Sequence, residues 1–171
     1  MIWIKEGVAT ASSNPQHALA EGRIQPRDEG PDMNDLELIN ASLENAAERC
    51  DDLTPLFFDA FFALRPEAPS LFSANVVAKG RMMLEILNLV VEQAEGAGYV
   101  EHTVKTSASD HSFWGVTLEM YNDVFHALLS TLRTLIGDAW TAETEAAWQR
   151  QIAVILDHTR VGFRTQHTTP A

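Results

Sequence analysis

The chain has 171 residues, enough for one domain with a single substantial core. Its 24 acidic and 12 basic residues leave a net charge of −12, which repels phosphate backbones and anionic membrane surfaces and so argues against nucleic-acid and membrane partners. A lone cysteine, Cys50, rules out an internal disulfide framework and any paired-cysteine metal site, and its apolar neighbours make it a packed thiol.

Residues 1–33 mix Ser, Pro, Gly and charges, a composition that buries little apolar surface and predicts a largely irregular N-terminal extension. Met1-Ile2-Trp3-Ile4-Lys5-Glu6 does not pair a basic stretch with a long apolar one, and no apolar run reaches the ~18 residues needed to span a bilayer. The expected location is the cytoplasm.

Beyond Pro31 the apolar spacing becomes helical. Asp35 is placed to cap a helix carrying Leu36, Ile39, Leu43 and Ala46. Asp51 or Asp52 starts a second, with Leu53, Phe57, Ala60, Phe61 and Leu64 on one face, which Pro66 ends. A short turn around Leu71 and Phe72 leads to a long helix from about Asn75 to Glu95, closed by Gly96-Ala97-Gly98. The stretch 99–111 is less periodic and reads as a short or broken helix. Leu118–Ile136 carries one apolar stripe through Tyr121, Val124, Leu128, Leu132 and Leu135. A last helix opens at Thr141, bears Trp148, Ile152 and Ile155, and ends near Arg164, leaving 165–171 as a tail. The domain at 34–164 is therefore expected to be all-α.

Three stretches resemble the globin family, in particular its flavohaemoglobin and single-domain bacterial haemoglobin branch. They are Leu53-Thr54-Pro55-Leu56-Phe57-Phe58 with Pro66 and Phe72 downstream; Lys79-Gly80-Arg81-Met82-Met83-Leu84; and Asp110-His111-Ser112-Phe113-Trp114-Gly115-Val116 with Tyr121 ten residues after the histidine. The resemblance covers about residues 34–160. It implies a globin fold around a haem, with His111 as the proximal iron ligand and Phe58, Phe72, Lys79, Met83, Leu87, Val116, Tyr121, Val124 and Leu128 around the macrocycle. No Cys-x-x-Cys-His occurs, so the haem would be b-type and non-covalent.

The chain departs from that branch at three positions. Phe58 stands where the family has a tyrosine that donates to the bound gas, and Lys79 where it has a glutamine. Phe163 matches a glutamate that would contact Tyr121. Three roles are open to Lys79: donating to the ligand, binding iron as a neutral amine, or reaching a haem propionate. The last is favoured because a solvated ammonium is the cheaper state. Reversible binding of a diatomic gas, oxygen or nitric oxide, is the function expected from the resemblance. The alternatives are a haem redox enzyme (nitric-oxide dioxygenase or peroxidase-like) served by a separate reductase, and a globin-fold sensor or interaction module.

Overall fold

The computed structural model describes residues 33–72 and 76–166. The N-terminal extension and most of the C-terminal tail read from the sequence lie outside the described residues. Among those described there are six α-helices and no strand: α1 (Asp35–Ala47), α2 (Thr54–Leu64), α3 (Val76–Ala94), α4 (Val100–Phe113), α5 (Leu118–Ile136) and α6 (Ala142–Gln166). A 3₁₀ turn, Ala68–Leu71, follows α2. Among the described residues no helix is long and apolar enough to cross a membrane.

Helix ends follow local chemistry. Asn34, rather than Asp35, caps α1 in a capping box with Glu37, Asn34 Oδ1 accepting from the Glu37 amide at 3.0 Å. Asp35 instead takes the Arg150 guanidinium of α6, whose hydrogen bonds hold its carboxyl below the usual carboxylate range. Asp52 Oδ1 accepts from the Thr54 amide at 2.9 Å and opens α2. Thr117 Oγ1 accepts from Met120 at the start of α5, and Thr141 Oγ1 from Thr144 at the start of α6. Cys50 sits past the end of α1, half-buried, its thiol donating to the Asp52 carbonyl.

The core runs through α2, α3, α5 and α6 and includes Phe57, Phe61, Val90, Leu128, Leu132, Trp148 and Ile155. Trp148 is fully buried, and its indole N–H donates to Ser42 Oγ at 2.9 Å; Ser42 in turn donates to the Ile39 carbonyl at 2.7 Å. That chain satisfies two buried polar groups while joining α6 to α1. Arg65 beyond α2 pairs with Asp123 of α5.

The weak segment 99–111 is one continuous helix, not a broken one. Its buried residues Val100, Val104 and Ala108 recur every fourth position and form a stripe too narrow to dominate the sequence pattern. The stripe packs on α6, where a Cβ built on Gly162 would lie 2.5 Å from the Lys105 carbonyl oxygen and 2.9 Å from Ala108 Cβ. Only glycine permits that approach, so Gly162 fixes how closely α4 lies on α6. Gly162→Ala is expected to lower stability by about 1–3 kcal/mol, read as a lower midpoint in urea unfolding. An unchanged midpoint would show that α4 is free to shift.

Candidate functional site

His111 lies in the last turn of α4, exposed, and borders an open cleft of about 450 Å³ with His102, Thr103, Thr106, Ser107, Asp110 and Trp114. The chain turns sharply after it. Gly115 at φ +82° makes the corner, a left-handed conformation that a Cβ disfavours, and the Val116 amide donates back to the His111 carbonyl at 3.2 Å. The corner leads directly into α5 and brings Tyr121 under the imidazole.

Three groups surround His111 Nδ1: the Ser107 carbonyl oxygen at 2.8 Å, Ser107 Oγ at 3.0 Å and Tyr121 Oη at 3.0 Å. A carbonyl oxygen only accepts, so this arrangement assigns the proton of the neutral imidazole to Nδ1. Nε2 then carries the lone pair. An imidazole so arranged is a ready metal ligand, its donor nitrogen available and its ring fixed from behind.

Tyr121 is itself held in place. Its ring meets the His111 ring edge-on at 6.0 Å and the Phe163 ring at 5.7 Å. Phe163 from α6 thus occupies the far side of Tyr121 and offers it no carboxylate. The phenol is half-buried, and burial pushes its pKa up to about 12, against a smaller opposing effect of the Ser107 hydrogen bond.

The other site residues expected from sequence are divided. Phe58 of α2 is buried and meets Phe72 edge-on at 5.2 Å. Lys79 of α3 lies over the Phe58 and Phe62 rings, 5.3 and 4.9 Å from their centroids. Met83, Val124 and Leu128 are buried in the core, with Leu87 packed against it, and Val116 is half-buried in the corner. The cleft beside His111 is walled by the polar face of α4, not by these apolar side chains. Ser107, the histidine's principal partner, was missed by sequence reasoning, although its place one turn before His111 on the same helix face could have flagged it.

The chain has two tyrosines, Tyr99 and Tyr121, which makes the burial of Tyr121 directly measurable. Neutral Tyr121 is favoured by the fold, so its contribution to stability is complete below pH ~10 and is lost as pH rises through about 12. The Glu92 carboxylate beside Tyr99 also raises that phenol, so a 295 nm absorbance titration is expected to show two phenols ionising above the ordinary tyrosine range, the later of which disappears in Tyr121→Phe. Loss of the earlier step in Tyr121→Phe would contradict the buried placement.

The globin family model matches residues 56–159. Similar proteins include the flavohemoprotein of Bacillus subtilis (strain 168), 26% identical over 129 residues, which are 74% of this chain and 32% of that protein. The flavohemoprotein of Vibrio cholerae serotype O1 is 29% identical over 99 residues, 56% of this chain and 25% of that protein. Leghemoglobin-1 of Lupinus luteus is 27% identical over 125 residues, 65% of this chain and 81% of that protein. The chain spans between a quarter and a third of the length of the flavohemoproteins it matches. With six helices in this order among its described residues and the family match over more than half of its length, the chain belongs to the globin family.

Proposed function

We propose that residues 34–164 form a haem b-binding globin domain that takes iron at His111 Nε2 and reversibly holds a diatomic gas, oxygen or nitric oxide. The observation that carries this reading is the hydrogen bond from Nδ1 to the Ser107 carbonyl, which leaves the opposite nitrogen free to bind a metal. The names of the related flavohemoproteins and leghemoglobin support haem as the group concerned. His111 would hold the haem iron, and the group would supply, when bound, an iron able to bind a diatomic gas.

The chain's own residues set the character of that ligand. Ser107 and Tyr121 hold the Nδ1 proton and fix the ring plane, and a hydrogen bond at Nδ1 makes Nε2 a stronger electron donor. The donation is limited, because Phe163 ends the chain of polar groups at Tyr121. Phe58 donates no hydrogen bond, so the gas side lacks a hydroxyl from α2. Both features favour gas binding over redox turnover. The flavohemoprotein relatives favour a second reading, a haem redox enzyme drawing electrons from a flavin-bearing reductase.

Titrating the protein with hemin is expected to give a sharp Soret band at one equivalent and a raised thermal midpoint, since a ligand that binds the folded state stabilises it. His111→Ala is expected to broaden the band and weaken haem affinity by about tenfold or more, with circular dichroism unchanged because the side chain is exposed. Identical spectra for the two proteins would contradict ligation by His111.

A further inference from the structure

Two of the most exposed large apolar side chains among the described residues stand next to each other where α4 ends. Phe113 and Trp114 are each 76% exposed. Leu71 of the 3₁₀ turn, 39% exposed, reaches the same corner, its Cδ2 lying 4.0 Å from where a Cβ on Gly115 would stand. An aromatic side chain buries roughly 150–250 Å² when covered, and the core of this chain covers neither of the two. Adjacent exposed aromatics framed by polar groups have the make-up of a protein interaction site.

The frame is acidic. Asp110 stands one turn before Trp114 and lines the same cleft, Glu119 lies in the first turn of α5, and Glu67 stands one turn before Leu71. Between Lys105 and Arg133 the chain holds no lysine or arginine, and those two pair with Glu101 and Glu145. Arg65 is shared between Glu67 and Asp123 and lies within electrostatic reach of Glu119. One guanidinium facing three carboxylates leaves the frame negative.

Charge decides what can cover such a corner. A second copy docked about a two-fold axis would set these carboxylates against their own images, in a chain of net charge −12. A partner bearing lysine and arginine gains from the carboxylates and also from the indole and phenyl faces, which attract cations. We propose that Phe113, Trp114 and Leu71 form the apolar centre of a docking surface for a basic protein, one that presents an apolar ridge flanked by lysine or arginine. The aromatic centre governs how long the partner stays, and the carboxylates how fast it arrives. This surface follows from exposure and charge and stands apart from the haem reading.

The test uses the full chain and a fluorescein-labelled helical peptide with leucines on one face and lysines on the other, followed by fluorescence anisotropy. A second peptide, with serine for each leucine, carries the same charge without the ridge. Phe113→Ser combined with Trp114→Ser is expected to weaken the leucine–lysine peptide by about tenfold or more, with circular dichroism unchanged, while the serine peptide binds both proteins equally weakly. Asp110→Asn combined with Glu119→Gln is expected to flatten the fall of affinity with added salt. Equal affinity of the leucine–lysine peptide for wild type and the aromatic double variant, or binding to neither, overturns the proposal. A wild type that runs as a dimer and is dispersed by the aromatic double variant also overturns it, since a second copy then covers the corner. Loss of hemin affinity with peptide affinity retained assigns the two aromatics to haem contact instead, and the docking surface falls.

Discussion

The His111 site depends on one hydrogen bond, from His111 Nδ1 to the Ser107 carbonyl one turn earlier in the same helix. The carbonyl accepts and cannot donate, so it decides which ring nitrogen is protonated. Everything around the bond keeps the two atoms in register. Continuous helix from Val100 to Phe113 sets their spacing, and Gly162 lets α4 lie close on α6. Gly115 turns the chain so that Tyr121 arrives beneath the imidazole. The helix backbone supplies the main restraint, and the two hydroxyls add to it.

The surroundings of His111 and of Phe58 are built by different physics. Around His111 the partners are polar: a carbonyl, two hydroxyls and the open cleft along α4. Around Phe58 they are aromatic: Phe62 and Phe72 pack against it, and Lys79 lies across Phe58 and Phe62. A polar cradle orients a ligand atom precisely, whereas an aromatic cluster excludes water and gives a nearby charge few competitors. The same fold thus fixes an imidazole on α4 and lays the Lys79 side chain over two rings between α2 and α3.

Much of this was legible in the sequence. The apolar stripe from Leu118 to Ile136 gave α5 its bounds, because a wide, strongly buried face leaves a clear period. The segment around His111 was harder to read. Its buried stripe is narrow, and its opposite face, carrying His102, Thr103, Thr106, Ser107 and Asp110, has the composition of a loop. The spacing of His111, Tyr121 and Phe163 was readable from the resemblance, and the three rings do meet. Ser107 was overlooked because its backbone carbonyl makes the closest contact, and a carbonyl leaves no signature in residue identity. The position of Lys79 over two rings was also hidden, since it depends on how α2 and α3 cross.

The most direct test of the central claim is the tautomer of His111 in the haem-free protein, read from two-dimensional ¹⁵N–¹H correlation of the ring nitrogens at alkaline pH. The Ser107 carbonyl contact predicts a protonated Nδ1 and a bare Nε2 for this residue, in contrast to the Nε2–H form that free imidazoles in solution prefer. An Nε2–H tautomer at His111 would contradict it.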